Sequence, residues 1–331
     1  MADRQLGVTV EDVAREAGVS RSTATRALRG HGRIAEETRT RVEEVAARLG
    51  YVPNLAAADL AAGGTGVVGL MLRDAANPVY GALFSRIELA ARDADLDLVT
   101  VTIGADPAGA QQVQGLRRLL GMRVAGLLVA TGGVESARLE PFASEVPIVR
   151  IGRDEPSDRI HAEAYDEAWH GRLLADRVRA LGHRRVVVLG ADAATSYGEH
   201  ARADALVDGL EGVRIDRVAT GAAPDDGVGA ALAAVDAGAT AVLCASDTRQ
   251  LAVLRALAAA GRACATTGWD GILPGVDLLG LTTVRVPVEA AADAGVARIA
   301  ALLDGVVDAP IHRRWRGELL VGRTLTPAED R

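Results

Sequence analysis

From Val67 onward, short apolar runs alternate with helix-patterned stretches, and few folds accommodate that alternation. The runs are VVGLML, LDLVTVTI, VAGLLVA, PIVRI, RRVVVLG, VRIDRVA, AVLCAS, ACATTG and LLGLTTV. Between them lie amphipathic segments such as Ala82–Arg92, Trp169–Leu181 and Leu251–Ala260. A parallel neighbour is reached only by a crossover, so repeated strand–helix units imply parallel sheets covered by helices. About nine strands over some 260 residues is too many for one compact sheet, and two α/β lobes are expected. Ligands in such folds sit beyond the carboxyl ends of strands. Residues there include Arg73–Asp74, Ala130–Thr131, Ser246–Asp247 and Trp269–Asp270. Composition fits this reading: 49% of the 331 residues are hydrophobic, only 3% are aromatic, and 37 are glycine, which suits close helix-on-strand packing.

Several function classes fall away. Met1–Thr9 has no apolar core of signal-peptide length, and no charge-free run of about 18 apolar residues exists to span a membrane. A cytoplasmic protein without membrane contact is therefore expected. Cys244 and Cys264 lie in apolar runs and are expected as buried free thiols. Metal-ligand spacings such as HxxxH and CxxC are absent, so no metal and no cofactor is expected. GTGVVG, Gly64–Gly69, fits a dinucleotide fingerprint in letters only, because it precedes a strand instead of following one. No nucleophile elbow or phosphate-binding loop appears, and Asp225–Asp226 sits in a Gly/Pro-rich loop. The chain is not expected to be an enzyme.

Residues 1–50 carry a different pattern. Thr9 and Asp12 form a capping pair for a helix with Val10, Val13, Ala14 and Ala17 on one face, ended by Gly18. Ser20 caps a second helix, through about Arg29, with Ala24, Ala27 and Leu28 turned inward. A third runs from about Glu36 to Leu49 and stops at Gly50. Net charge over the chain is −7, and residues 1–60 hold nine arginines against nine acids. Yet Ala17–Ala35 has four arginines and no acid, so charge is segregated where it is not abundant. Helix, Gly18-Val19-Ser20, helix is the turn of a helix-turn-helix, whose second helix presents Arg21, Ser22, Thr25 and Arg26. Arginine reads guanine O6 and N7 as a fork, which favours double-stranded DNA over a merely solvated bundle.

Those residues carry a family likeness. VTVEDVAREAGVSRSTATRALRG, Val8–Gly30, resembles the DNA-binding segment of LacI/GalR-type bacterial transcription regulators. The likeness continues through Arg33–Leu60, VVGLMLRDAANPVY, RALGHRRVVVLG, GWD at Gly268–Asp270 and LTTVRVP. It implies an all-α helix-turn-helix head followed by an α/β two-lobed domain like that of periplasmic binding proteins. The implied division is 1–50 head, 51–66 hinge helix and linker, 67–160 with about 286–315 N-terminal lobe, 161–285 with about 316–327 C-terminal lobe, and 328–331 tail. Chain crossings are expected near 158–162, 284–289 and 316–321.

The resemblance also implies roles. A homodimer would bind a palindromic operator, with Arg21, Ser22 and Arg26 at base-reading positions and Thr9, Ser20, Thr23 and Thr25 holding phosphates or capping helices. Arg29 and Asn54 join the DNA-binding set. Leu60 aligns with the hinge leucine that wedges into the minor groove, the alternative being a leucine packed on the lobe. The stretch reads Ala57-Ala58-Asp59-Leu60 where the family commonly has A-R-S-L, so a cation is missing there. A small-molecule effector, a sugar or sugar derivative, is implied between the lobes, touched by Arg73, Asp74, Arg202, Ser246, Trp269 and Asp270. Arg202 and Asp270 match the gripping arginine and aspartate, with an interlobe or surface salt bridge as the alternative for each. Trp269 either stacks on a ring or packs in the core. Val79 replaces a phenylalanine, and the aromatic lid near Ala222–Pro224 is missing. No leucine heptad follows Arg316–Val321, so a tetramer-forming tail is not expected. The rivals are a solute-binding protein or an enzyme on the same lobes; the first has no use for residues 1–60.

Overall fold

The structure, a computed structural model, describes residues 8–28, 34–51, 67–74, 77–104 and 110–328. The chain divides into two compact units, Met1–Thr65 and Gly66–Arg331.

The first unit is a three-helix cluster of α1 (Val10–Glu16), α2 (Arg21–Leu28) and α3 (Glu36–Leu49). Its core is made of Val13, Ala14, Ala17, Ala24, Ala27, Val42, Val45 and Ala46. Small side chains let short helices approach closely, which is why three helices of 7, 8 and 14 residues suffice. The Thr9 hydroxyl accepts from the Asp12 amide while the Asp12 carboxylate accepts from the Thr9 amide, closing both ends of a capping box. Gly18 then takes a left-handed φ of 66°, and the Val19 amide returns to the Ala14 carbonyl. The helix α3 starts at Ala35 with no side-chain cap.

In the second unit the described residues form two six-stranded sheets. The first contains β1 (Val67–Leu72), β2 (Asp97–Thr102), β3 (Gly126–Ala130), β4 (Ile148–Gly152), β5 (His161–Tyr165) and β11 (His312–Trp315), all parallel, in the order β11-β5-β4-β3-β1-β2. The helices α4 (Pro78–Asp93), α5 (Ala110–Gly121), α6 (Ser136–Leu139) and α12 (Val288–Leu303) accompany it. The second contains β6 (Arg185–Ala191), β7 (Arg214–Thr220), β8 (Ala241–Cys244), β9 (Ala265–Asp270), β10 (Thr283–Arg285) and β12 (Glu318–Leu320), in the order β12-β10-β9-β8-β6-β7, with only β12 antiparallel. Its helices are α7 (Glu167–Ala180), α8 (Tyr197–Gly209), α9 (Val228–Asp236), α10 (Asp247–Ala259) and α11 (Val276–Leu279).

Three expectations need correction. Residues 161–165 do not join the second lobe after a crossing at 158–162, as expected; β5 pairs with β4 and β11, and the chain crosses at Asp166. His161 and Glu163 break the apolar pattern, but both are buried, and the Glu163 carboxylate accepts from Trp315 Nε1 at 2.7 Å. The run LLGLTTV holds a helix end and only a three-residue strand. Cys264 is half-buried and Cys244 buried, and neither is in a disulfide.

The crossings lie at Asp166, after Arg285 and at Arg316–Gly317. Arg316 ties the first to the third through Asp166 at 3.0 Å. Gly317 is required there, because a Cβ on it would overlap the Arg285 carbonyl oxygen. The Gly317 amide donates to His170 Nε2 at 2.7 Å, which leaves Nδ1 to carry the proton toward Glu167 at 3.1 Å.

Candidate DNA-reading head and interlobe cleft

In α2 the periodicity sorts the side chains by role. Ala24 and Ala27 are buried, whereas Arg21, Ser22 and Arg26 are exposed on the other face, and Thr23 and Thr25 are half-buried. Ser20 accepts from the Thr23 amide at 3.1 Å and contacts the Ser22 and Thr23 hydroxyls at 2.9 and 2.8 Å. It caps the helix and gathers three hydroxyls at its N-terminus, where the helix dipole favours an anion. Thr25 donates to the Arg21 carbonyl, and Arg26 Nε to the Ser22 carbonyl at 3.3 Å. Arg26 thus keeps its terminal guanidinium face outward. Arg21 makes an ion pair with Glu11 of α1 at 2.7 Å, both partners exposed. Arg29, Asn54 and Leu60 lie outside the described residues.

The second unit has a cleft at the carboxyl ends of its strands, divided into two chambers. The front chamber, about 290 Å³, is lined by Arg73, Asp74, Ser246 and Asp270 among others; the rear one is about 320 Å³. Val79, Tyr80, Gly198 and Arg202 line both and form the partition between them. Five of the six expected effector residues are therefore brought together at the front. Trp269 is the exception: it is fully buried, edge-on to His170 with centroids 6.1 Å apart, and lines neither chamber. Alternation along β9 sends Trp269 into the core and Asp270 to the strand end.

Arg202 is the hub. Its Nε donates to Glu167 at 3.1 Å, and Nη1 donates to the Ala245 carbonyl at 3.1 Å. Nη1 also stands 2.9 Å from Asp270 Oδ1, an ion contact without hydrogen-bond alignment. Both carboxylates hold Arg202 firmly charged despite its burial. Burial pushes Asp270 up to about 7, opposed by Arg202 and reinforced by Asp247. Asp247, buried beside it, is pushed up to about 6 even though it accepts from Thr283 at 2.5 Å and the Gly271 amide at 2.8 Å. Burial also raises Glu167, but Arg202 and His170 outweigh it and leave the carboxyl below its usual range. Asp270 carries a φ of 113°, a region that non-glycine residues rarely occupy.

Among the described residues, Arg73 and Tyr197 reach across between the lobes. Arg73 donates to Ser196 Oγ at 2.9 Å and to the Thr195 carbonyl at 2.8 Å. The Tyr197 hydroxyl donates to the Asp154 carbonyl at 2.7 Å, with the Arg153 guanidinium 3.9 Å from the centre of its ring. Ser246 donates to Glu199, which also binds Arg249 at 3.0 Å. The sequence reading missed Glu167, Glu199, Arg249 and the tyrosines at 80, 165 and 197. The scarcity of aromatic residues was the one signal available for the tyrosines.

Among the described residues no group of three metal-ligating side chains occurs, and no helix is long and apolar enough to cross a membrane.

Comparison with known proteins agrees with both halves. Residues 9–54 match the model of bacterial regulatory proteins of the lacI family. Residues 65–286 match that of periplasmic binding proteins and the sugar binding domain of the LacI family. The transcriptional regulator DegA of Bacillus subtilis is 32% identical over 64% of this chain and 64% of its own length. PtxS of Pseudomonas putida is 31% identical over 77% and 76%, and the maltose regulon regulatory protein MalI of Escherichia coli is 32% identical over 55% and 54%. The chain thus spans just under two thirds of the DegA length and about half that of MalI. Among solved structures, the lac repressor dimer bound to operator and an anti-inducer superposes with a TM-score of 0.81 at 22% identity, covering 97% of this chain and 100% of that one. A CelR–cellobiose complex superposes with 0.67 at 25% identity, covering 96% and 99%. A three-helix head and a two-sheet lobe unit joined in one chain, each matched by its own family model, make this protein a member of the lacI family of bacterial regulatory proteins.

Proposed function

We propose that this regulator is a homodimeric repressor that binds a palindromic operator and is switched by a sugar or sugar derivative held between its lobes. One observation carries the reading: Arg202 and Asp270 meet on the wall of a cleft whose other wall carries Arg73 and Asp74. A ligand bound there touches both lobes, and so has differential affinity for their open and closed arrangements, which is what linkage to a second site requires. The lac repressor dimer on its operator and the cellobiose complex of CelR offer the same two kinds of partner in similar folds. Arg21, Ser22 and Arg26 read bases, Ser20 and Thr23 hold phosphate, and Arg29, Asn54 and Leu60 extend the contact. The lobes serve binding and not catalysis. The proposed division places the head at 1–50, the hinge and linker at 51–66, and the lobes after it, the first taking residues up to 165.

Thermal melting of the full chain against neutral sugars tests the cleft, since a ligand at 100 times its Kd adds about 2.7 kcal/mol. Anisotropy with palindromic duplexes from upstream of its own gene tests the head. A sugar that raises the melting point and shifts operator affinity is expected. Stabilisation without any change in operator affinity would refute the switch.

A further inference from the structure

One buried side chain stands between the cleft and the crossings. His170, on the first turn of α7, is fully buried and edge-on to Trp269. It lines neither chamber, so contact with a ligand does not account for it. Its Nε2 accepts from the Gly317 amide at 2.7 Å, at the third crossing. Its Nδ1 stands 3.1 Å from Glu167 Oε2. Oε1 of the same carboxylate accepts from Arg202 Nε at 3.1 Å, and Arg202 Nη1 stands 2.9 Å from Asp270. These contacts run without a gap from the front chamber to the third crossing, and Glu167, the most exposed side chain along them, is 13% exposed.

Chemistry fixes the direction of each bond. A backbone amide only donates, so Nε2 accepts and the proton of a neutral imidazole sits on Nδ1. A guanidinium only donates, so Glu167 accepts at both oxygens, from Arg202 and from His170. No member can turn without opening a contact, and an opened contact in the interior leaves a polar group unpaired. The far end has no slack either, because the space beside Gly317 is filled by the Arg285 carbonyl oxygen of the second crossing. Arg316, next to Gly317, ties to Asp166 and lies 4.5 Å from the centre of the Trp169 ring, but it is 61% exposed and open to screening. His170 is the dry hold on this crossing.

We propose that His170 is a positioning residue of the switch, which ties the third crossing to the arginine in the cleft. This rests on reading the cleft as the effector site. A molecule that takes hydrogen bonds from Arg202 draws the guanidinium, and the carboxylate bound to it, toward the cavity. Rotation of the lobes moves Gly317 at the other end. Both events draw on the same hydrogen bonds, so each biases the other, which is what coupling between sites requires.

Side-chain NMR of the full chain, labelled with nitrogen-15 histidine at about pH 8, reads the resting state. His170, identified as the resonance lost in His170→Phe, should be neutral with its proton on Nδ1; a proton on Nε2 would overturn the proposal. Glu167→Gln cuts the chain in the middle, since its one amide oxygen goes to the charged donor Arg202 and its NH2 then faces Nδ1–H. Deuterium exchange of the Gly317 amide should become about tenfold faster, the loss of about one net hydrogen bond. Arg202→Lys, which acts from the cleft end, should speed it as well. Asp270 also pairs with Arg285 between β9 and β10, which gives the crossing a second route to the cleft. His170→Phe separates the routes, because it keeps a ring against Trp269 and has neither nitrogen. In that background Glu167→Gln and Arg202→Lys should change Gly317 exchange no further, and equal effects in both backgrounds would overturn the proposal. Anisotropy with the operator duplexes on the same proteins tests the consequence. Glu167→Gln should shift operator affinity by about threefold or more, and only where His170 is present. Exchange effects that depend on His170, with operator affinity unmoved, overturn the reading of the lobes as an operator switch and leave the tie between Arg202 and the crossing standing.

Discussion

The second helix of the head, α2, and the interlobe cleft both use arginine, and they use it in opposite ways. Arg26 lies exposed on α2, with only its Nε turned back to a carbonyl. Arg202 is buried between two carboxylates and a carbonyl before any ligand arrives. The first suits a partner that brings its own dense negative charge, because an exposed guanidinium costs little to keep and is free to fork onto a base. The second suits a neutral ligand, because a buried charge must be compensated inside the protein. The same residue type therefore reports on the charge of its partner only once its burial is known.

The largest effect follows from removing the buried hub. Arg202→Ala leaves Glu167 and Asp270 facing each other without their cation, and should cost about 3–5 kcal/mol of stability by urea denaturation. Adding Glu167→Gln and Asp270→Asn should recover much of that loss. A cost below about 1 kcal/mol would erase the contrast between the two arginines. Arg26→Ala should leave stability unchanged and cost roughly 1–3 kcal/mol on the operator, with binding to random DNA largely kept. Equal losses on both duplexes would make Arg26 a phosphate contact.

The cleft should also respond to pH where the head does not. Asp270 is held near 7 against an ordinary 3.8, so between those values the folded protein binds more protons than the unfolded chain. Stability from this group is therefore greatest on the acid side and is lost as pH rises from about 4 through 7, by at most about 1.4 kcal/mol per unit. Asp270→Asn should flatten that part of the profile, measured by denaturation at pH 5, 6, 7 and 8. An unchanged slope would assign the titration to Asp247, which is raised to about 6. The smallest effect belongs to the exposed Arg21–Glu11 pair. Glu11→Ala should change stability by less than about 1 kcal/mol, since such pairs are well screened. It should also strengthen operator binding slightly, by freeing Arg21 and removing an anion from the DNA side.

The head was legible because its signals are local. Thr9 with Asp12, Gly18, Ser20 and the apolar spacing each act within four residues along the chain, and all reappear in the helices. The parallel sheets were legible for a similar reason, since strands buried on both faces must be continuously apolar. The strands β5 and β11 escaped notice because their sequences, HAEAY and HRRW, satisfy the sheet with polar side chains. Glu163 finds Trp315 at 152 positions' distance, a partner that no local pattern reveals.

The sequence alone determined the two kinds of unit, the exposed face of α2 and the strand ends where a ligand could sit. Tertiary structure decided which of the residues at those ends reach the cleft. Trp269 and Asp270 are neighbours in the chain, yet the pleat buries one and turns the other to the cavity. It also decided that Arg202 is already paired, and that three tyrosines scattered from 80 to 197 share one chamber. Pairing and convergence depend on distances between elements far apart in the chain. Those distances are fixed by how two sheets and three crossings pack, and no local spacing encodes them.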